Sequence, residues 1–539
     1  MEIKKHVIFK DQFESKIKKG IDTLSNAVKT TMGPKGKLVL IQKEEGHPVI
    51  TKDGVTVARS INLVDEIENM GVKVLKEAAS RTADEAGDGT TTSTVLAQSI
   101  FNEGLKMKSA GFQIDLIKKG IDQGLQIVID YLSGIKRNVT HNQELMQVAM
   151  ISANGEEDIA KLIVESIKAA GPEGSVIVET ATGFKSELNV VDGFRLERGY
   201  LSPYFVTDKN KMTCEFEKPL ILIADREFTT IRDLMKPLEI ALDSSRPILV
   251  IGNDIQGDAL QGMVLNKVKG SLRVCAIKSP GFGVSRHDML TDLQAVIGGK
   301  VIGSSFDMNE FKIEDFGTCE KCIIHKNMTM VITKDEKNKN DKIKERIDSI
   351  KQRLSESYSL QDGEKNILSY RLQQLSGGIA ILRVGAATES ELIERYDRVD
   401  DALHATRAAI QEGILPGGGV ALARSSKKLK EASRNVENQD IKAGIEIMTR
   451  SVTAPFRQII KNGNMSDQTL LDAVIEKENN VGYDSRNNKF GDMYDLGIVD
   501  PHKVVRCAIE NATSAASMLL SVECCLINVK QEIKEDNYN

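Results

Sequence analysis

Apolar residues recur every three or four positions near both ends of the chain. Between Ser15 and Met32, the residues Ile17, Ile21 and Leu24 fall on one side of a helix with 3.6 residues per turn. The same spacing predicts amphipathic helices in six further segments: Met70–Ala86, Thr92–Leu105, Ile114–Leu132, Asp400–Glu412, Ala443–Asn462 and Val504–Val522. Both ends of the chain are therefore predicted to be α-helical.

The middle of the chain has a different pattern, in which short β-branched runs are followed by helical segments. The predicted strands are Val176–Val178, Leu220–Ala224, Ile248–Ile251 and Val274–Ile277. Helical spacing follows the last three of them, at Thr229–Leu242, Gln256–Val268 and Ser285–Ile297. Strands separated by helices of this length need crossover connections, which predicts a partly parallel sheet. The pattern thus predicts an α/β insert between two parts of an α-rich domain.

Glycines stand on both sides of this insert. Gly193 precedes it, the pair Gly377–Gly378 follows it, and Gly413 and Gly417–Gly419 come shortly afterwards. Because glycine tolerates large changes in φ and ψ, these positions are candidate hinges. The alternative for any single glycine is that it ends a helix or turns a loop.

Length and composition narrow the class of protein. A chain of 539 residues is too long for one hydrophobic core, so two to four domains are expected. No apolar run approaches the roughly 20 residues of a membrane span. The net charge of −5 and the mixing of basic and acidic residues argue against a dedicated nucleic-acid surface. The N-terminal segment does not resemble a secretory signal, which predicts a cytoplasmic location.

Two local features have a structural and a functional interpretation. Cys319 and Cys322 form a CxxC pair without a second pair at zinc-finger spacing, so packed, reduced thiols are favoured over a metal or redox site. Cys524 and Cys525 lie in a segment predicted to be helical, where core packing is expected. The charged stretch from Lys334 to Gln361 is interpreted as a solvated surface helix.

The segment from Ala86 to Thr92, with the sequence Ala-Gly-Asp-Gly-Thr-Thr-Thr, is the most informative for chemistry. It lies between two predicted helices, and a helix N-terminus offers free N–H groups and the positive end of a dipole. Glycines allow close approach of a ligand, and three hydroxyls add donors for phosphate oxygens. Asp88 would repel a phosphate unless a cation lies between them, which indicates Mg²⁺. The alternative is a simple helix cap, and the loop lacks the Gly-Lys-Ser/Thr end of a Walker A motif.

Other segments of similar character lie far away in the sequence. They are Thr31–Gly36, Thr51–Gly54, Asp400–Arg407 and Pro416–Gly419. Each is weak by itself, because turns and helix starts often contain such residues. Together they suggest a phosphate and Mg²⁺ site with spare carboxylates that could orient a water molecule.

A resemblance brings these segments together. The strings TMGPKG, ITKDGV, AGDGTTT, ISAN, GYLSPYF, VGAATE, VDDALHATRAA and GGGVAL resemble the group I chaperonins of the GroEL type, in order and in spacing, from about residue 10 to about residue 527. The resemblance implies an all-α equatorial ATP-binding domain (1–134 and 412–539), a small α/β intermediate hinge domain (135–192 and 377–411) and an α/β apical substrate-binding domain (193–376).

The resemblance also implies roles for individual residues. Asp401 would position the attacking water, Asp53 would assist it, and Asp88 would bind Mg²⁺. Thr31, Lys52 and Thr91 match positions associated with K⁺. The residues expected to contact ATP are Thr31, Met32, Gly33, Pro34, Lys52, Asp88, Gly89, Thr90, Thr91, Thr92, Ile151, Gly418, Tyr483, Asp484, Ser485, Ile498 and Asp500.

A groove for unfolded polypeptides is implied on the apical domain. Its expected members are Tyr200, Tyr204, Phe205, Met235, Leu238, Leu260, Val264 and Leu265. Apolar residues cover more than half of the predicted helix Gln256–Val268, which is wider than one buried stripe needs, although a core-only role also fits. The implied partners are non-native polypeptides, a GroES-type co-chaperonin and further copies of this chain in heptameric rings, with no nucleic acid and no membrane.

The sequence departs from the family pattern at three places. Asp484 stands where the family usually has Asn beside the adenine, and Met235-Lys236-Pro237 puts a charge and a shifted proline into the groove. The tail from Lys530 to Asn539 lacks the Gly-Gly-Met repeats of many bacterial members. The sequence therefore favours an ATP-driven folding chaperonin, with a chaperonin-like ring that acts mainly as a binding or scaffold protein as the alternative.

Overall fold

The structure is a computed structural model. It describes residues 5–42, 48–139, 142–153, 155–170, 175–181, 183–208, 211–281, 283–333, 341–355, 362–376, 378–477 and 480–528.

Helices occur along the whole of this range. They are α1 Lys10–Val28, α2 Gly54–Ser60, α3 Glu66–Ala86, α4 Thr90–Ser109, α5 Ile114–Ile135, α6 Asn142–Ser152, α7 Glu157–Ala170, α8 Met235–Asp243, α9 Gly257–Val268, α10 Gly283–Ile297, α11 Asp341–Ser355, α12 Asp362–Ser376, α13 Glu389–Glu412, α14 Val420–Ser433, α15 Gln439–Ser451, α16 Ala454–Asn462, α17 Asp467–Glu476 and α18 His502–Leu520. In the part of the chain that the structure describes, none of them combines the length and the apolar character needed to cross a bilayer.

Strands are short and concentrate in the middle of the chain. They are β1 Lys5–Phe9, β2 Val39–Ile41, β3 Val49–Thr51, β4 Ser175–Thr180, β5 Glu187–Leu196, β6 Cys214–Glu217, β7 Leu220–Asp225, β8 Glu227–Phe228, β9 Ile248–Gly252, β10 Asp254–Ile255, β11 Val274–Lys278, β12 Val301–Gly303, β13 Gly317–Thr318, β14 Lys321–Ile324, β15 Thr329–Ile332, β16 Gly378–Val384, β17 Ile414–Pro416, β18 Val481–Asp484, β19 Lys489–Asp492, β20 Val499–Pro501 and β21 Cys524–Asn528.

The chain divides into two compact units. Unit 1 contains residues 1–164 and 386–539, and unit 2 contains residues 165–385. Unit 2 is therefore inserted into unit 1, as the change of hydrophobic pattern predicts. The finer division into three domains remains a prediction.

Unit 1 is built mainly from helices, with α5 against α15 and α18 against both α3 and α4. Glycines allow α5 and α15 to approach closely. A Cβ atom on Gly120 would lie 2.0 Å from the carbonyl oxygen of Ile441, and one on Gly444 would lie 2.2 Å from that of Ile117. Only residues without a side chain fit at this helix crossing, because a Cβ would overlap backbone atoms of the other helix.

The described residues of unit 1 also form four antiparallel two-stranded ribbons: β1–β21, β2–β3, β17–β20 and β18–β19. The ribbon β1–β21 pairs the first described strand with the last, and it contains Cys524 and Cys525. The helical interpretation of these cysteines was therefore wrong. Cys524 is exposed and Cys525 is buried, because successive strand residues point to opposite faces.

The predicted helices of unit 1 are present, but two of the predicted segments differ clearly from the observed helices. The segment predicted as a helix to Met32 is helical only to Val28 and continues as one 3₁₀ turn, Lys29–Thr31. The segment Ala443–Asn462 forms two helices, α15 and α16, rather than one. Pro455 lies in the first turn of α16, where its missing N–H is tolerated, whereas within a continuous helix it would remove a hydrogen bond.

Unit 2 contains the predicted parallel sheet. Strands β11, β9, β7 and β12 are parallel neighbours in that order, and β13 adds an antiparallel partner to β7. A second, mixed sheet has the order β4-β16-β5-β15-β14-β6. The residues Leu220–Ala224 are all buried, which explains their continuous apolar run without alternation.

The candidate hinge Gly193 lies within β5, opposite Ile332. A Cβ there would lie 2.2 Å from Cδ1 of Ile379, so close packing requires glycine at this position. Gly377 lies outside the described residues, and Gly378 is the first residue of β16. The hinge role of these glycines remains a prediction.

The charged stretch from Lys334 to Gln361 is described only over Asp341–Ser355, which forms α11. This helix is not wholly solvated, because Ile350 is buried in the core and Arg346 binds the buried carboxylate of Asp292 at 2.9 Å. Arg371 of α12 donates to the other oxygen of Asp292 at 2.6 Å. The carboxylate of Asp292 on α10 thus ties α11 and α12 to the rest of unit 2, and its pairing with two arginines offsets the cost of burying it.

The CxxC pair belongs to the core of unit 2. Cys319 and Cys322 are both buried, and burial raises the pKa of Cys319 to about 12. A thiol with so high a pKa is a poor nucleophile at neutral pH. Among the described residues, no group of three or more His, Cys, Asp or Glu side chains is arranged to hold a metal ion. These observations fit the interpretation of packed thiols.

Candidate functional site

Unit 1 contains a cavity of about 970 Å³. Every residue that the sequence analysis assigned to ATP contact or to catalysis lines it, from Thr31 at one end of the sequence to Asp500 at the other. The volume lies at the upper end of the range that ligand pockets occupy. Segments separated by hundreds of residues are thus brought to one place.

The loop between α3 and α4 forms one wall of the cavity. Gly87 and Gly89 have φ angles of 76° and 93°, in the left-handed region that favours glycine, and Asp88 lies between them. The carboxylate of Asp88 accepts from the N–H of Gly89 at 2.5 Å. In the described part of the chain, no side chain caps the start of α4, a helix of 20 residues. Its first N–H groups, next to Thr90–Thr92, are therefore available to an anion in the cavity.

A second wall is the turn that follows α1. Asn462 of α16 holds this turn, because its side-chain amide donates to the carbonyl oxygens of Lys29 and Met32, both at 2.9 Å. Gly33 packs against Ile459 of the same helix. The segment from Thr31 to Pro34 is thus held in place by contacts to its backbone.

Asp53 lies at the start of α2 and caps it. Its two carboxylate oxygens accept from the N–H groups of Val55 at 2.9 Å and Thr56 at 2.7 Å. The next residue, Gly54, lies so close to α4 that a Cβ there would be 2.1 Å from the hydroxyl of Thr91. This contact places Lys52 and Asp53 beside the phosphate-binding candidates of the loop.

Carboxyl groups crowd the cavity. Burial, and then the charge of Asp53, raises the pKa of Asp88, although the N–H of Gly89 opposes this shift. Burial, and then the charges of Asp88 and Asp53, raises the pKa of Asp401 well above its usual range. Burial and the charge of Asp88 raise the pKa of Asp500 to about 6. Like charges so close together favour either a bound cation or bound protons.

Basic groups lie at the same cavity. Burial, followed by the charges of Arg486 and Arg398, lowers the pKa of Lys52. Arg398 of α13 pairs with Glu156 and with Glu394. The wall therefore combines carboxylates with cationic groups, as expected for a site that takes both a cation and an anionic ligand.

The hairpin β18–β19 forms the opposite side of the cavity. The Oδ1 of Asp484 accepts from the N–H groups of Arg486 and Asn487, and its Oδ2 accepts from the side-chain amide of Asn487. Burial alone would raise the pKa of Asp484, but these hydrogen bonds outweigh it and the pKa is lowered. Asp484 lines the cavity, but its carboxylate mainly fixes the turn of the hairpin.

Ser485 is a better candidate for direct contact with a ligand. Its side chain is only 4% exposed and lines the cavity, and within the described residues its hydroxyl has no hydrogen-bond partner. A buried hydroxyl without a partner is costly, and a polar ligand would remove that cost. Tyr483 packs edge-to-face against Phe490, which fixes its ring.

Helices α6 and α13 contribute further cavity residues that sequence reasoning missed. Helix α6 contributes Gln143, Met146, Gln147 and Met150 in addition to Ile151, and α13 contributes Glu394, Asp397 and Arg398 in addition to Asp401. The spacing of Glu394, Asp397 and Asp401 on one helix face is visible in the sequence and could have identified these residues.

The residues predicted to bind polypeptides lie in unit 2 and differ in exposure. Tyr204, Met235 and Leu265 are 70%, 50% and 57% exposed. Leu260 and Val264 are half-buried against the core. Tyr200, Phe205 and Leu238 are buried in the core, so in this conformation they support the surface and do not form it. The wide apolar face of α9 thus has a buried side and an exposed side.

A helical unit with a glycine-rich cavity, interrupted by an α/β unit with an exposed apolar face, is the arrangement of a chaperonin subunit. The sequence matches the TCP-1/cpn60 chaperonin family over residues 24–530, and the chain belongs to this family.

Solved structures agree with this fold. The chaperonin gp146 from the bacteriophage EL 2 (Pseudomonas aeruginosa), crystallised in the presence of ATP-BeFx, is 22% identical in one crystal form, with a TM-score of 0.71. Another crystal form of the same protein gives 23% identity and a TM-score of 0.63. In both cases 97% of this chain and 99% of the phage chain are covered. The predicted multidomain chaperonin fold is confirmed.

Proposed function

We propose that this protein is an ATP-hydrolysing chaperonin that captures non-native polypeptides and assists their folding. The observation that carries the proposal is the convergence of all the family-matched nucleotide residues on one cavity of about 970 Å³ in unit 1. The phage chaperonin of similar fold was crystallised in the presence of ATP-BeFx, which supports the use of a nucleotide.

The phosphates of ATP would bind at the start of α4. There the uncapped N–H groups and the hydroxyls of Thr90, Thr91 and Thr92 supply hydrogen-bond donors. Adenine and ribose would lie against Gly418, Tyr483 and Ile498, and the hydroxyl of Ser485 would gain the partner that it lacks.

The residues of the cavity also include oxygen-bearing side chains that are suitable ligands for cations beside the phosphates. Asp88 would hold Mg²⁺, which would neutralise charge that develops on the phosphate oxygens. This fits its buried position beside another carboxylate: burial, and then the charge of Asp53, raises the pKa of Asp88, and a bound cation would offset both effects. K⁺ would bind near Thr31, Lys52 and Thr91, which line the same cavity, and oxygen atoms are the ligands that such a cation prefers.

Asp401 would act on the attacking water. It faces the cavity from α13, whereas the phosphate loop precedes α4, so the reacting groups come from different helices of unit 1. Asp53 would assist from the start of α2, but both of its oxygens already accept backbone hydrogen bonds. Asp401 is therefore assigned the main role in accepting a proton.

The apolar face of unit 2 would bind unfolded chains. Tyr204, Met235 and Leu265 expose large apolar side chains there, and unfolded polypeptides offer apolar surface of their own. By family likeness, the protein would work in the cytoplasm as heptameric rings closed by a GroES-type co-chaperonin.

The test compares the full-length protein with Asp401→Ala. The variant should bind ATP and assemble like the wild type but lose most of its hydrolysis, by about 10²-fold or more. Phosphate release, ATP titration and particle size by light scattering measure these three properties. Asp130→Asn, an exposed change on α5, is the control. Unchanged turnover in Asp401→Ala would refute the role of Asp401. A wild type that hydrolyses ATP but fails to refold denatured proteins would favour the binding or scaffold function.

A further inference from the structure

Helix α13 presents three acidic residues to the cavity, at intervals of three and four positions. They are Glu394, Asp397 and Asp401. This spacing puts them on one face, about one helical turn apart. The family likeness assigns a role to Asp401 but none to Asp397, which is the nearest carboxylate to it on this face.

Asp397 is free to exchange a proton in a way that Asp53 is not. It is half-buried, and among the described residues its carboxylate has no hydrogen bond or ion pair, whereas that of Asp53 accepts from two backbone N–H groups. The charged groups that act on it are Asp53 and Arg59 of the α2 segment, and Asp400 and Glu394 of its own helix. Burial, followed by the charge of Asp53, raises the pKa of Asp397 to about 6. It therefore changes its charge just below neutral pH.

All three residues of the acidic face of α13 are partly buried. Glu394 pairs with Arg398 at the cavity wall, and Asp397 lies one turn further along the helix, between Glu394 and Asp401. A carboxylate that has taken a proton in a closed cavity must release it before the next turnover. The acidic face offers a route for this release.

We propose that Asp397 is a second proton acceptor of this site, a positioning residue that works through Asp401. The inference rests on the proposed ATP hydrolysis. As the water oxygen bonds to the γ-phosphorus, the bond from that phosphorus to the bridging oxygen breaks, and its electron pair stays on ADP. The proton of the water passes to Asp401, then to Asp397, directly or through one water, and then to solvent. The net products are ADP, phosphate and one proton.

The experiment measures ATP hydrolysis by the full-length protein at saturating ATP and Mg²⁺ between pH 5.5 and 8.5. The variants are Asp397→Asn and Asp397→Glu, and the control is Glu389→Gln, an exposed residue in the first turn of the same helix. At pH 5.5 Asp397 is protonated and resembles Asn, so wild type and Asp397→Asn should agree within about two-fold. At pH 8 the variant should be slower by roughly ten-fold, since one acceptor is lost. Asp397→Glu should restore the pH dependence.

A purely structural role would give a different result. If Asp397→Asn slows an active enzyme by the same factor at every pH, or not at all, the inference is overturned and the proposed function stands. If the wild type does not hydrolyse ATP, both the inference on Asp397 and the proposed function are refuted. Hydrogen exchange checks that each variant is folded, and Asp397→Ala replaces the Asn variant if that variant is unfolded.

Discussion

Asp500 provides a direct test of the electrostatics of the cavity. It lies in β20 opposite Leu415 of β17, and its carboxylate accepts from the N–H groups of Gly418 and Gly419. Burial, followed by the charge of Asp88, nevertheless raises its pKa from 3.8 to about 6. The difference corresponds to about 3 kcal/mol.

The sign of the effect follows from this direction. The folded state binds the proton of Asp500 more tightly than the unfolded state does. Below about pH 4 the carboxyl group is protonated in both states, so it does not lower the free energy of unfolding of the nucleotide-free protein. The cost to stability grows between pH 4 and 6, and above pH 6 it reaches its full value of about 3 kcal/mol. Asp500→Asn removes the charge and keeps one oxygen as an acceptor.

We therefore expect Asp500→Asn to stabilise the nucleotide-free protein at pH 8 and not at pH 4. A gain of up to about 3 kcal/mol would raise the urea midpoint of unit 1 by about 1 M. Hydrogen exchange of unit 1 peptides at increasing urea concentrations measures it without assuming two-state unfolding of the whole chain. Asp130→Asn, on the exposed side of α5, is the control. An equal gain at both pH values, or no gain at pH 8, would show that the carboxylate is not held at an energetic cost.

Two further predictions address the loop and the polypeptide surface. Gly87→Ala should cost about 2–5 kcal/mol and weaken ATP binding in a titration, because its Cβ would lie 2.2 Å from that of His404. Gly111→Ala has a similar positive φ but open space around it, so a cost as large as that of Gly87→Ala would exclude the contact with His404 as the cause. Leu265→Ser should reduce the capture of denatured protein several-fold with ATP hydrolysis unchanged, measured by co-sedimentation. Ile313→Ser, equally exposed elsewhere in unit 2, should have no effect, and equal capture by both variants would place the binding surface elsewhere.

The parts of the fold that local periodicity encodes could be predicted. The apolar spacing in α5 and the continuous apolar run in β7 reflect which faces are buried, and each is visible within a short window. The break between α15 and α16 was missed because the apolar rhythm continues through Pro455. The strand at Cys524 was missed because its partner is β1, more than 500 residues away.

The resemblance was enough to predict which residues line the site, but not how each of them is buried or hydrogen-bonded. The likeness places Asp484 and Phe205 at functional positions, whereas the structure uses the carboxylate of Asp484 to hold a turn and buries Phe205. Such properties depend on neighbours from other segments. Asp397 is the opposite case: no family motif includes it, and although its spacing from Asp401 is visible in the sequence, only the structure shows that both residues line the cavity.

The insertion of unit 2 into unit 1 has a consequence for synthesis on the ribosome. Helix α5 is complete at Ile135, but its packing partner α15 begins only at Gln439, about 300 residues later. At a synthesis rate of about 5–20 residues per second, roughly 15–60 s pass before α15 is made, and until then the apolar side of α5 lacks this packing partner. All of unit 2 emerges in this interval and can fold first. A protein that we propose to bind non-native polypeptides is thus itself incompletely folded for a long part of its own synthesis.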